Sequence, residues 1–270
     1  MEAQLLGPFE VHHEGTSILP NADKPRQVLA MLALNANTVV PLRLLIEELW
    51  GDQPPRSTAT TLQTYVMQLR RKIGLAGCSR EPLVPKNVLV THHGGYLLAI
   101  PPESVDVLRF EQLVAAARAA TPHDAATASD RYRAALALWR GPALVDVPVG
   151  RALAPDMVRL EEAWIGAIEG KNAVDLRLGR HAELLSSLAS LTARHPMHEN
   201  LHAQFIIALH RSGRTYDALL TYQRLRSTMV EELGLEPSPR MRRLHQAVLS
   251  ASPDLELAVG TGSPEFELIP

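Results

Sequence analysis

The sequence predicts a mainly α-helical protein with a small β component, arranged as residues 1–100, residues 105–251 and a tail of residues 252–270. Three observations predict it. Short strand-like pieces bounded by Gly and Pro are confined to the first hundred residues. Apolar residues recur at spacings of three and four through most of the rest, and one segment of the second half repeats after 34 residues. A chain of 270 residues is long enough for two cores of ordinary size.

In chain order, Gln4-Leu5-Leu6 and Glu10-Val11-His12 read as short strands around Gly7-Pro8, with a turn at Glu14-Gly15 before Thr16-Ser17-Ile18-Leu19. Pro25 stands where a helix begins, and Val28, Leu29, Leu32 and Leu34 follow at helical spacing. A second helix carries Leu42, Leu45, Ile46, Leu49 and Trp50 on one side and closes at Gly51. Pro54 and Pro55 stop it from running on. Ser57 or Thr58 then caps a third helix whose inward stripe is Leu62, Tyr65, Val66, Leu69 and Ile73. Val88-Leu89-Val90-Thr91 and Tyr96-Leu97-Leu98-Ala99-Ile100, joined through His92-His93-Gly94-Gly95, read as a β-hairpin. Strands, three helices and a closing hairpin make a winged helix with an N-terminal sheet.

The third helix carries the chemistry. No acidic residue occurs from Gln53 to Arg80, and the outward face is Thr60, Thr61, Thr64, Gln68 and Arg71. Short hydroxyl and amide side chains reach base edges in a DNA major groove, while Arg56, Arg70, Arg71 and Lys72 cluster near the helix ends, where phosphate oxygens lie. The net charge of −2 does not point to nucleic acid by itself. Residues 1–100 hold nine Lys and Arg against eight Asp and Glu, and the remainder 18 against 21, so the signal is a local positive stripe rather than a basic domain.

Lys24-Pro25-Arg26-Gln27-Val28-Leu29-Ala30, Glu48-Leu49-Trp50-Gly51-Asp52 with Pro54-Pro55, and Thr61-Leu62-Gln63-Thr64-Tyr65-Val66 ending in Leu69-Arg70-Arg71 resemble the DNA-binding domain of the SARP family. These are transcriptional activators of actinobacterial antibiotic gene clusters built on an OmpR-type winged helix. Leu138-Trp139-Arg140-Gly141-Pro142-Ala143-Leu144 and Glu231-Glu232-Leu233-Gly234-Leu235-Glu236-Pro237 are similar to stretches of the family's bacterial transcriptional activation domain, so the resemblance spans about residues 1–251. It implies base contacts from Thr61, Thr64 and Gln68. Phosphate contacts are expected from Arg56, Thr60, Tyr65, Arg70, Arg71, Lys72 and, in the wing, His92, which stands where the family commonly carries arginine. The resemblance further implies binding to direct repeats near promoters, with copies side by side on one DNA face and no need for a two-fold dimer. It also implies recruitment of RNA polymerase through the σ factor and the carboxy-terminal domain of the polymerase α subunit. The loop Gly51, Asp52, Gln53, Pro54 and Pro55 is the candidate polymerase contact. No cofactor is implied.

Cys78 is the sole cysteine, so there is no internal disulfide and no cysteine-based metal cluster, and it reads as a loop residue. No secretory signal or membrane-length apolar run is legible, and a cytoplasmic protein is expected.

The repeat joins Leu178-Gly179-Arg180-His181-Ala182-Glu183-Leu184-Leu185 to Ser212-Gly213-Arg214-Thr215-Tyr216-Asp217-Ala218-Leu219, with Leu191 in register with Leu225. A period of 34 is that of tetratricopeptide repeats, and Gly179 and Gly213 are expected in the turns within each helix pair, where a missing Cβ relieves crowding. Helices over Asp106–Ala119, Ala125–Trp139 and Asp156–Leu178 would complete the array, because two repeats cannot bury a core alone. From Ser252 onward Pro, Gly, Ser and acidic residues predominate, the composition of a disordered tail.

Two patterns suggest other chemistry. His198-Glu199-Asn200-Leu201-His202 matches the zincin pattern of two histidines one helical turn apart, with Asp217 or Glu231 as conceivable third ligands. The longer metzincin signature fails at Phe205 and Ala208. Gly166 to Asn172 resembles a phosphate loop that is one residue short. The readings in competition are therefore a DNA-binding activator without catalysis, a repeat scaffold that has lost DNA affinity, and a zinc peptidase. Salt-dependent DNA binding and stoichiometric zinc separate them.

Overall fold

The computed structural model describes residues 1–76 and 84–255, and Cys78 and residues 256–270 lie outside the described residues. The chain forms two compact units, residues 1–115 with 134–165, and residues 116–133 with 166–270.

The first unit opens with the antiparallel sheet β1 (Glu2–Gln4), β2 (Glu10–His13) and β3 (Thr16–Ser17). β1 stops at Gln4, earlier than the sequence suggests, because the next two amides leave the ladder. Leu5 N donates to both carboxylate oxygens of Asp106 at 2.8 Å, and Leu6 N donates to its Oδ2 at 2.9 Å. Burial pushes the Asp106 pKa above its ordinary value, against the lowering effect of these amides.

Helices α1 (Asp23–Leu34), α2 (Leu42–Trp50) and α3 (Thr58–Ala76) follow, with the two-residue strand β4 (Val40–Pro41) before α2. The four-residue helix α4 (Pro85–Val88) leads into the hairpin of β5 (Leu89–His92) and β6 (Gly95–Leu98). The second sheet runs β4-β6-β5 and is antiparallel throughout. Sequence reasoning overlooks β4, which is too short to alternate. A Cβ on Gly95 would strike the Val40 carbonyl, so this glycine lets β4 close on the hairpin. Leu29, Leu32, Leu45, Leu62, Leu69, Ile73 and Leu89 form a fully buried core.

The first unit also takes in residues 106–115 of helix α5 (Asp106–Ala120) and residues 134–165. Helix α6 (Ala125–Leu136) ends three residues before the expected Trp139, because the chain turns to meet the segment that follows β1: Arg140 N donates to Leu6 O at 2.7 Å and Leu144 N to Leu5 O at 3.0 Å. Phe110 and Trp139 then meet edge to face at 5.5 Å.

The second unit holds residues 166–177 of α7 (Ala154–Arg177), then α8 (His181–Arg194), α9 (Glu199–Arg211), α10 (Thr215–Leu233) and α11 (Pro239–Leu249). α9 packs between α8 and α10 and also meets α11, which buries Leu201, Ile206, Ile207 and Leu209. Gly179 and Gly213 have φ of +76° and +74°, and a Cβ on either would meet no atom within 4 Å. The expected relief of crowding is thus corrected: these glycines serve the left-handed backbone of the turn. Between α7 and α9, Gln204 accepts from Asn172 at 3.1 Å and donates to the Glu169 carbonyl at 2.8 Å. Burial raises the pKa of Asp175, but hydrogen bonds from Lys171 and Ser129, both 2.6 Å, outweigh it and hold the carboxyl below its usual range. The start of the expected tail is corrected, since Pro253–Leu255 forms a 3₁₀ turn with Leu255 buried and its carbonyl accepting from Arg211 at 2.6 Å.

Candidate nucleic-acid interface

Helix α3 buries Leu62, Val66, Leu69, Ile73 and Ala76 against the core, half-buries Thr61, Tyr65, Arg70 and Lys72 on its flanks and turns the opposite face to solvent. Thr60, Thr64, Met67 and Arg71, at i, i+4, i+7 and i+11, form one exposed line along it, flanked by exposed Gln68. Thr61 Oγ1 donates to Ser57 O at 3.0 Å and Thr64 Oγ1 to Thr60 O at 2.9 Å. With their protons held by the helix's own carbonyls, both hydroxyls present lone pairs outward, as acceptors. Sequence spacing puts these residues on the face but does not reveal that polarity. It also passes over Met67, which is 64% exposed.

The expected phosphate contacts divide. Arg56 and Arg71 are exposed and, among the described residues, have no hydrogen-bond or ion-pair partner. Thr60 is exposed, whereas Tyr65 is half-buried on the flank of the helix. Arg70 is corrected to a fold-holding role: its Nε and Nη2 donate to Leu89 O at 3.0 and 2.6 Å, and Nη2 also to Thr91 Oγ1 at 2.8 Å. The guanidinium thereby joins α3 to β5 of the wing, and the planar fork suits one carbonyl met twice. Lys72 is likewise turned aside, donating to Leu19 O at 2.9 Å. The two cations lie on opposite flanks of the helix, each drawn to an unsatisfied carbonyl of a neighbouring segment, which spacing alone does not disclose.

The wing turn is His93-Gly94, with Gly94 at φ +79°. His92 is exposed and paired with Gly95, and Leu42 N donates to Gly94 O at 2.9 Å, so the wing turn is fastened to the start of α2. At the other end of α2, Lys24 donates to Leu49 O at 3.1 Å and stands 4.7 Å from the centre of the Trp50 ring, a cation at a helix C-terminus. Gly51 to Pro55 follow there. Asp52, Gln53, Pro54 and Pro55 are exposed, and Asp52 pairs with Arg151 at 2.6 Å. Both partners are mostly exposed, so the pair adds at most about 1 kcal/mol and releases Asp52 readily.

In the second unit, His198 caps α9 and lies 3.5 Å from Glu169 Oε1, while His202 is 7% exposed. Among the described residues no three His, Cys, Asp or Glu side chains are grouped to hold a metal ion. Burial, with a smaller contribution from His198, lowers the His202 pKa to about 4. Gly166 to Asn172 lies inside α7 and not in a loop, and a Cβ on Gly170 would come within 2.6 Å of the Tyr132 ring. That glycine permits close approach of α6 and carries no phosphate geometry. No helix among the described residues is long and apolar enough to cross a membrane.

Comparison with known proteins agrees with this layout. A family model described as transcriptional regulatory protein, C terminal, matches residues 19–98, and one described as bacterial transcriptional activator domain matches residues 105–249. Regulatory protein DnrI of Streptomyces peucetius is 52% identical over 257 residues, covering 95% of this chain and 94% of that protein. Transcriptional regulator RedD of Streptomyces coelicolor is 34% identical, covering 95% of this chain and 73% of that protein. Mycobacterium tuberculosis EmbR, solved in complex with a low affinity phosphopeptide, superposes with a TM-score of 0.86 at 34% identity, covering 93% of this chain and 65% of that one.

Proposed function

Because this chain belongs to the SARP family of transcriptional regulators, which join an OmpR-type DNA-binding domain to a bacterial transcriptional activator domain, we propose that it binds direct repeats near promoters and recruits RNA polymerase, without catalysis of its own. The observation that carries the proposal is the outward line of α3: hydroxyls, an amide and a free guanidinium on a helix with no acidic residue from Gln53 to Arg80. Thr61, Thr64 and Gln68 read base edges in the major groove, while Arg56, Arg71, Thr60 and, from the wing, His92 hold phosphates. Arg70 keeps helix and wing in one frame. Copies lie side by side on a repeat in the cytoplasm, and the likeness to DnrI and RedD supports a target among secondary-metabolite gene clusters.

Gel-shift competition tests it. Thr64→Ala or Gln68→Ala should cost about 1–3 kcal/mol on the selected operator and leave random-sequence DNA unaffected. Equal weakening on both duplexes would remove these residues from base reading. In the same assay, Arg56→Ala and Arg71→Ala should each flatten the slope of log affinity against log salt by about one unit. A slope unchanged in both variants places the positive stripe away from DNA.

Polymerase is met by the loop Gly51 to Pro55, through the σ factor and the carboxy-terminal domain of the polymerase α subunit. Its exposed acid and prolines suit a basic protein surface better than a phosphate. Asp52→Ala combined with Gln53→Ala should lower transcription in a purified system while operator affinity stays within about threefold, less than the ~1.4 kcal/mol of a tenfold change. Full transcription with intact binding would rule out this loop.

A further inference from the structure

We infer that Met67 is a specificity-determining residue that reads the C5-methyl group of a thymine, with Thr64 beside it accepting from the adenine of the same A·T pair. The inference deepens the reading of α3 as the helix that enters the major groove, and rests on it. Met67 is 64% exposed, although the buried stripe of Leu62, Val66, Leu69 and Ile73 already supplies the apolar contacts α3 needs for its own fold. It occupies the middle of the exposed line, between Thr64 and Arg71 and next to Gln68. A lone exposed methionine elsewhere on the surface would call for no explanation. Here it stands on an acid-free face between a hydroxyl and a cation, where a groove-facing helix meets bases rather than a second protein.

The chemistry of the base pair matches. In the major groove an A·T pair presents the adenine N6 amino donor and, further across, the thymine methyl, whereas a G·C pair has no methyl. Thr64 and Met67 are i, i+3 neighbours on one face. Thr64 Oγ1 donates its hydrogen bond to Thr60 O at 2.9 Å and is left as an acceptor for an amino group. The flexible, polarisable thioether of Met67 offers the apolar partner for a methyl. Acceptor and apolar group side by side correspond to the A·T pattern, and neither satisfies guanine O6 and N7, which need donors.

Duplexes selected from a random-sequence pool by the intact chain provide the probe. Each thymine of the selected consensus is replaced singly by deoxyuridine, which removes only the methyl. One such replacement should weaken wild-type binding about fourfold, the cost of uncovering one carbon. The same replacement should leave Met67→Ala unaffected, and Met67→Ala should itself lose a similar factor on the unmodified duplex with an unchanged melting temperature. If every deoxyuridine costs wild type and variant equally, or if Met67→Ala weakens binding with no methyl responsible, the inference is overturned while the DNA-binding reading stands. A pool that enriches no sequence overturns that reading, and the inference with it.

Discussion

Replacing Glu48 by alanine should lower the unfolding free energy of the first unit by about 3–4 kcal/mol. The side chain is 4% exposed, and its two oxygens accept from Gly150 N at 2.6 Å and Leu153 N at 2.9 Å. Alanine would leave the buried Leu153 amide and the part-buried Gly150 amide without acceptors, each costing about 1–3 kcal/mol. Gly150 is equally constrained, since a Cβ there would strike the Glu48 carbonyl. The neighbouring Glu47 is exposed, and Glu47→Ala should stay within about 0.5 kcal/mol. Urea unfolding followed by tryptophan fluorescence makes the measurement specific, because Trp50, Trp139 and Trp164 all lie in the first unit. The same contact sets the C-terminal end of α2, from which the Gly51 to Pro55 loop departs. Equal stabilities for the Glu48 and Glu47 variants would show that the segment around Gly150 finds other acceptors.

Acid should weaken the second unit through His202. Its imidazole titrates at about 4 in the fold, against about 6.5 in an unfolded chain. The unfolded state therefore binds the proton first as pH falls. Stability is whole above pH 6.5 and is lost between pH 6.5 and 4, by at most about 3 kcal/mol from this group. The difference between wild type and His202→Leu isolates it. Measured by helical circular dichroism, the difference in unfolding free energy should change across that window and be constant above it. A difference independent of pH would mean that His202 titrates in the fold as it does in the unfolded chain, its burial offset by a partner of the protonated ring.

Much of this architecture is legible in the sequence because it rests on local chemistry. The spacing of Leu62, Val66, Leu69 and Ile73 fixes the inward side of α3. The Gly94-Gly95 pair marks the wing, and the 34-residue period sets α8 to α10 in register. Each is a periodicity or a backbone conformation that a few neighbouring residues decide between them. For Gly179 and Gly213 the sequence gives the right place and the wrong reason, since position in a repeat is visible in sequence while the sign of φ is not.

What the sequence by itself determined is therefore the order of the longer helices and of the wing hairpin, the two kinds of domain and the acid-free face of α3. Tertiary structure alone decided which charges on that face remain available. Arg70 and Arg71 are adjacent and chemically identical, yet Arg70 is spent on Leu89 O and Thr91 while Arg71 faces solvent. It likewise decided that residues 134–165 join the first unit, with Arg140 and Leu144 bonded to Leu6 and Leu5 and Glu48 to Gly150 and Leu153. The physical reason is common to both. A buried carbonyl or amide must find a partner, and the partner it finds lies where the chain returns in space, at sequence separations that no local pattern encodes.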